Sequence, residues 1–315
     1  MSGPISIREQ GHFWTGVKRQ QHSNGTYAFG AMSVQYQIPE QLQSPYSIVF
    51  IHGGGGQGCE FLSTPDGRPG WAQYFLSLGF AVYIVDRTGH GRSHFSAELG
   101  DPVNLLNYEL VQDLFTHPKV KISGPLADLA KNWPQGDEVL DQFMAGIGPV
   151  IGSLEKTEMF ARQAGAELLQ RIGPSILITH SMGGPCGWVI ADECPEFVKG
   201  IISIEPLGPP LSEPFKGLGA LKCGVTASPL KHNTDQTQAD NALKRIPISV
   251  VTGEASFMNA ADPLTVEYLT QHGFRAEHIA LAQHGIHGNG HFMIGETNSD
   301  DIAQLLVEWI KEKVI

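Results

Sequence analysis

Long apolar runs, paired cysteines and basic clusters are all missing from this chain, and each gap closes off a class of function. No stretch of the 315 residues comes near the roughly 20 consecutive apolar residues that a membrane-spanning helix requires. The four cysteines, Cys59, Cys186, Cys194 and Cys223, are scattered without a C-x-x-C pair. Neither a zinc site nor a disulfide framework is therefore expected, and they read as reduced and mostly buried. Lys and Arg total 21 against 32 Asp and Glu, a net charge of −11 with no basic cluster to interrupt it. A phosphate backbone would meet no complementary surface, so nucleic acid is not an expected partner. The first ten residues, Met1 to Gln10, have neither the charged start nor the apolar stretch of a secretory signal, and a cytoplasmic location is expected on that ground.

What is present is an ordinary globular composition, 41% hydrophobic and 17% charged, on a chain long enough for one large α/β domain with an inserted cap. The segment Tyr27-Ala-Phe-Gly-Ala-Met-Ser-Val-Gln-Tyr-Gln-Ile-Pro39 suits antiparallel strands at a sheet edge. Short β-branched apolar runs then follow at 47–51, 81–85, 175–178, 200–204 and 248–251, the pattern of strands buried on both faces. Helical stretches at 70–78, 154–170, 185–194, 263–272 and 300–313 separate or follow them. Alternation of this kind predicts βαβ crossovers and a mostly parallel central sheet with helices on both faces. Two connections, roughly 94–153 and 208–244, are too long for simple crossovers and are the expected cap insertions.

In Ile176-Leu-Ile-Thr-His-Ser-Met-Gly-Gly184 an apolar strand runs directly into a serine and then into a helix. That context is the one a nucleophile elbow requires, because the sharp turn strains the serine backbone and demands small residues two before and two after it. Gly183 meets the demand; Thr179 stands where a first glycine is usual. Ser181 is the candidate nucleophile, with a helix N-cap as its plain structural alternative. His52-Gly-Gly-Gly-Gly-Gln-Gly58 follows the strand at 47–51, and an H-G-G-G run there is a device for turning backbone N–H groups toward an oxyanion. Gly54 and Met182 are the expected donors. A phosphate loop is excluded because no Lys-Ser/Thr follows. The nearby Asp86-Arg-Thr-Gly-His-Gly-Arg-Ser93 reads as a structural loop, with His90 a poor candidate for catalysis.

A base belongs between the last strand, expected to end near Ala282, and the final helix. Of His284, His287 and His291, the last is flanked by small residues in Gly288-Asn-Gly-His291 and is the choice. An acid that orients such a histidine commonly follows the penultimate strand in a phrase like G-E-x-D. Here that phrase is Gly253-Glu-Ala-Ser256, with serine in the acid's place. Glu205, at the end of the strand at 200–204, is preferred to Asp262, which reads as a helix N-cap, and to Glu254. Trp133, Phe143 and Met144 are candidates to line a pocket or to form the core of the cap.

With the H-G-x-G loop, the Asp86 to Ser93 segment and the serine elbow in this order, the chain resembles the α/β-hydrolases over nearly its whole length. It is similar, more narrowly, to atypical bacterial and fungal esterases with a glutamate after the sixth strand, through Val34-Gln-Tyr-Gln-Ile-Pro39, Thr64-Pro-Asp-Gly-Arg-Pro-Gly-Trp71, His180-Ser181, Glu205-Pro206 and Gly288-Asn-Gly-His291. That resemblance implies Ser181, His291 and Glu205 as a catalytic triad. Carboxylic ester hydrolysis through an acyl-enzyme is the expected activity, on a small ester-like molecule and with no cofactor or metal. Acyl transfer or elimination by the same residues, or a slow-turnover ligand-binding homologue, are the alternatives. Dehalogenation would need an aspartate in place of Ser181. Nothing in the sequence decides between a monomer and a homodimer.

Overall fold

The computed structural model describes residues 4–119, 124–209, 217–231 and 242–315. Eight strands form the central sheet: β1 (Ile7–Thr15), β2 (Met32–Pro39), β3 (Ser47–Ile51), β4 (Val82–Asp86), β5 (Ser175–His180), β6 (Val198–Ile204), β7 (Pro247–Thr252) and β8 (Arg275–Ala280). Their order across the sheet is β1-β2-β4-β3-β5-β6-β7-β8. Pairing is parallel from β4 through β8, and only β2 runs antiparallel to its neighbours β1 and β4.

The apolar runs are continuous because both faces of the sheet are covered, and the two-residue period of a strand divides each run between two cores. Ile48, Phe50, Val82, Ile84, Ile176 and Ile178 point to one side, where α1 (Trp71–Ser77) and the final helix lie. Val49, Ile51, Tyr83, Val85 and Leu177 point to the other. That second face is covered by the long helix α3 (Leu154–Ile172) and by α4 (Gly183–Glu193), with Leu269 of α5 (Asp262–Gln271) packed alongside. Ser153 caps α3 by accepting the Lys156 N–H at 3.2 Å, and Gly173 closes it with φ 84°. The final helix α6 (Ser299–Lys313) carries Asp300 and Asp301 in its first turn and Lys311 and Lys313 in its last, each sign placed to suit the helix dipole.

The N-terminal region departs from the expectation. Gly25–Phe29 pairs with Lys18–His22 in a separate hairpin outside the central sheet, and β2 is an interior strand. The edge is β1, whose Arg8, Glu9, Gln10 and His12 hide it from a reading based on apolar residues. The last strand stops at Ala280, and Leu281–His284 form a turn of 3-10 helix.

Between β4 and α3, the segment 94–153 is closed at its base by an antiparallel pair, Pro102–Val103 with Val150–Ile151. It carries the short helix Tyr108–Val111, a π-helical turn over Gln112–Thr116, and α2 (Asp137–Ala145). Of 208–244, residues 210–216 and 232–241 lie outside the described residues. Leu218, Leu221 and Ala227 pack with Val150, Leu154, Met182 and Leu207.

Candidate active site

Strand β5 ends at His180 and α4 begins at Gly183, leaving two residues to make the turn. Ser181 takes φ 51° there, a left-handed conformation that a side chain adopts only where its surroundings over-determine it. Its N–H donates to Ile204 O at 2.9 Å, and its carbonyl accepts from Gly184 N–H at 2.9 Å. A Cβ on Gly183 would lie 2.6 Å from Ile51 O and 2.7 Å from His52 O, so backbone on two sides forbids one. The same crowding explains how Thr179 replaces a glycine. A Cβ on Gly187, one turn into α4, would stand 2.7 Å from Thr179 Cγ2, so the missing atom is on the helix instead of the strand. Thr179 Oγ1 bonds Ser203 Oγ at 2.8 Å.

His291 stands in the loop before α6 with Nε2 3.0 Å from Ser181 Oγ and Nδ1 2.6 Å from Glu205 Oε2. A carboxylate facing Nδ1 places the ring proton there and leaves Nε2 as an acceptor toward the serine hydroxyl. Phe115 stacks on the ring at 5.6 Å and Phe257 lies 4.5 Å from it. The loop itself is tied down by Glu296, which accepts from Gly290 N–H at 2.8 Å and Asn289 Nδ2 at 2.5 Å. The Arg68 guanidinium donates to the carbonyls of Gly295 and Glu296 from the opposite side. Burial pushes the His291 imidazole down to about 3, which keeps the ring neutral when the site is empty.

Glu205 directly follows β6, is fully buried, and also has a left-handed backbone, φ 45°. Burial raises its carboxyl above the usual range; Ser256 Oγ, 2.5 Å from Oε2, and Gly253 N–H, 2.7 Å from Oε1, oppose the shift by donating to it. The other carboxylates go elsewhere. Asp262 accepts from Thr252 Oγ1 at 2.6 Å, and it begins α5 without capping it, since Ala261 holds the cap position. Its pKa is pushed well up by burial and then by the nearby charge of Glu205. Glu254 pairs with His287 at 3.2 Å near the surface, so the third candidate for the acid and the second candidate for the base meet each other. His284 is exposed. His90 is buried with its ring 5.0 Å from that of His52 and its Nδ1 3.1 Å from Thr88 O.

Gly54 and Met182 border the space in front of Ser181, and neither backbone N–H donates to another group among the described residues. The Gly53–Gly54 peptide is gripped at its other end. Gly53 O accepts from Arg87 Nη2 at 2.6 Å and His52 Nδ1 at 2.8 Å, while His52 Nε2 accepts the Arg87 N–H at 3.0 Å. Asp86 anchors the continuation by accepting Gly58 N–H at 2.7 Å. The Asp86 to Ser93 loop is thus structural, as expected, and what it structures is the glycine loop.

The resulting narrow cavity opens onto Ser181 and His291. Segment 94–153 supplies Leu105, Leu106, Leu114, Phe115, Phe143 and Ile147 to its wall. Phe143 is also packed against Phe292 at 4.6 Å, while Trp133 and Met144 belong to the surrounding core. Ser256, Phe115, Phe257 and Arg87 were not readable as site residues, since what brings each to the cavity or its walls is the packing of segments distant in sequence; Glu60 is local to the glycine loop, but no motif marks it. Among the described residues, no three His, Cys, Asp or Glu converge as a metal site.

The chain is similar to proteins of one family throughout. Residues 46–222 match the alpha/beta hydrolase fold. A probable secreted lipase, phiG, of Fungal sp. (strain ATCC 74256) is 34% identical, with 92% of this chain and 88% of that protein covered. The atomic-resolution structure of a novel bacterial esterase covers all of this chain and 99% of its own, with a TM-score of 0.68 and 24% identity. A thermophilic esterase from Thermogutta terrifontis covers 97% of this chain and all of its own, with a TM-score of 0.50 and 13% identity. The strand order, the serine at the β5 turn and the extent of these matches place the chain in the α/β-hydrolase fold family.

Proposed function

We propose that this protein is a serine hydrolase acting on carboxylic esters through an acyl-enzyme on Ser181. The observation that carries this reading is the continuous hydrogen-bonded chain from Ser181 Oγ through His291 to Glu205, at 3.0 and 2.6 Å. His291 Nε2 takes the serine proton as Oγ attacks the ester carbonyl, and the Gly54 and Met182 N–H groups receive the charge on the carbonyl oxygen. The tetrahedral intermediate collapses, and the leaving alcohol departs with the proton held by His291. Water then repeats the sequence on the acyl-serine, giving up a proton to His291 and releasing the acid and free Ser181. Glu205 keeps the imidazole in its Nδ1–H tautomer and balances its charge in both halves. The reaction calls for no metal or organic cofactor.

The esterase and lipase descriptions of the similar proteins support the ester as substrate. Segment 94–153 is read as a cap over the site because six of its residues contribute to the cavity wall, and 208–244 as a second insertion, of which Leu218, Leu221 and Ala227 pack against Val150 of the first. A cytoplasmic location is part of this reading, and cell fractionation tests it against the secreted description of the fungal relative.

The experiment is stopped-flow hydrolysis of 4-nitrophenyl butanoate in ¹⁸O-labelled water. A burst of one nitrophenolate per active site, followed by slower turnover with one labelled oxygen in butanoate, is the expected result. Butanoyl recovered as an ester of an added alcohol in place of labelled acid would assign acyl transfer; no burst and no turnover would leave only ligand binding.

A further inference from the structure

Two polar side chains of the cavity wall have no part in the chemistry above: His180, whose Nε2 bonds the His291 carbonyl at 2.9 Å, and Glu60. Most of the wall is hydrocarbon, including Leu105, Leu114, Phe115, Phe143, Phe257 and Phe292, yet the carboxyl of Glu60 is also part of it. Glu60 follows the glycine run, in a short 3-10 turn at Gly58–Phe61. Its place is built into the loop: a Cβ on Gly56 would fall 2.0 Å from Glu60 Oε1 and 2.8 Å from Oε2, so the fourth glycine of the run clears room for this carboxyl. Oε1 accepts a long hydrogen bond from Gln57 N–H, 3.3 Å. Oε2 has no partner and no cation pairs with the group among the described residues.

A carboxyl needed only to hold the Gln57 N–H would use one oxygen and could sit in solvent. Glu60 instead borders an apolar cavity with one carboxyl oxygen unpartnered, where a matching donor on a ligand is favoured. Burial raises the Glu60 carboxyl to about 8, a shift only partly offset by the Gln57 N–H and the charge of Arg87; with one long hydrogen bond, against the three donors that hold Glu205 as a carboxylate, its neutral form is the favoured one. A neutral acid both donates to and accepts from a hydroxyl, and a hydroxyl enters hydrocarbon surroundings far more cheaply than an ammonium.

Resting on the reading of Ser181 as an ester-cleaving nucleophile, we propose that Glu60 selects esters whose apolar body carries a neutral hydroxyl. The reacting carbonyl lies at Gly54 and Met182, and the hydroxyl bonds Glu60 further along the same glycine loop.

The test compares esters that differ only in hydroxyl against methyl: ethyl 3-hydroxybutanoate with ethyl 3-methylbutanoate on the acyl side, and 4-hydroxybutyl acetate with pentyl acetate on the alcohol side. In the wild type, kcat/KM for the hydroxyl member of one pair should exceed its partner by roughly tenfold, the value of one hydrogen bond in such a site. Glu60→Met should bring that ratio to about one, and Glu60→Gln should keep part of it. A purely loop-holding Glu60 would lower both members together and leave the ratio intact. No hydroxyl preference in either wild-type pair, a ratio unchanged in Glu60→Met, or a higher kcat/KM for ethyl 3-aminobutanoate than for its hydroxyl counterpart would overturn the proposal. Labelling of Ser181 by a fluorophosphonate, measured on the same samples, separates the two levels: a labelled wild type without hydroxyl preference defeats this inference alone, whereas an unlabelled one defeats the nucleophile and the inference with it.

Discussion

Ser256 donates its hydroxyl proton to Glu205 across 2.5 Å, from the position in Gly253-Glu-Ala-Ser256 where an acid would be expected to stand. The loop after β7 therefore still serves His291, but through a donor that steadies a carboxylate arriving from β6. Ser256→Ala removes one of the two donors other than His291 on a fully buried carboxyl. A hydrogen bond to a charged group contributes about 1.5–3 kcal/mol. Steady-state kinetics should show kcat reduced by roughly 10- to 100-fold with KM little changed.

Glu205→Gln goes further, since the amide cannot balance an imidazolium or hold Nδ1–H as a carboxylate does. A loss in kcat of about 10⁴ is expected, the scale set by acid-to-amide replacement in a serine triad. Asp262→Asn should retain activity within a few-fold, because Asp262 bonds Thr252 and not His291. Full activity in Glu205→Gln with none in Asp262→Asn would reverse the assignment.

The sequence carried most of the frame and a good part of the site, for physical reasons visible in particular residues. Runs such as Ser47–Ile51 are legible because both faces are buried, while β1 is not, because an edge strand wears Arg8, Glu9 and Gln10. Ser181 could be picked from a strand running into a glycine pair, and His291 from its small neighbours. Glu205 could be picked from the end of β6 once Ser256 left the usual place vacant. The position of Arg87 behind the Gly53 carbonyl, the seat of Glu60 against Gly56 and the pairing of Glu254 with His287 depend on contacts between segments tens of residues apart or more in all but the second case. No local pattern encodes the long-range contacts.

Thr179 and Gly187 form a matched pair of the same hidden kind. Gly187→Ala puts a methyl 2.7 Å from Thr179 Cγ2 inside a closed core, an overpacking expected to cost about 1–3 kcal/mol. Thr179→Ser keeps the hydroxyl that bonds Ser203 and removes the methyl. Chemical denaturation of both single variants and the double should show Thr179→Ser recovering most of the Gly187→Ala loss. Additive losses would mean that the two side chains do not compete for this space.

Arg87 is buried, with no carboxylate in salt-bridge range among the described residues, and spends Nη2 on Gly53 O. Gly53 O and Gly54 N–H are two ends of one peptide group, so a guanidinium on the oxygen both fixes the N–H direction and strengthens it as a donor. Arg87→Met should lower kcat by at least about tenfold and weaken a trifluoromethyl ketone inhibitor in parallel, because in the proposed mechanism both the reaction and the inhibitor's adduct place negative charge at that N–H. KM should change little. An unchanged inhibitor constant in a folded variant would show Arg87 to be packing alone.

The central claim is that Ser181 is the nucleophile, and covalent trapping reaches it most directly. Intact-protein and peptide mass spectrometry after treatment with a fluorophosphonate should show one adduct per chain, located on Ser181, with esterase activity lost in proportion to labelling. Ser181→Ala should take up no label, and His291→Ala should label far more slowly. An adduct at another residue that accounts for the lost activity, or full esterase turnover by Ser181→Ala, would contradict the account.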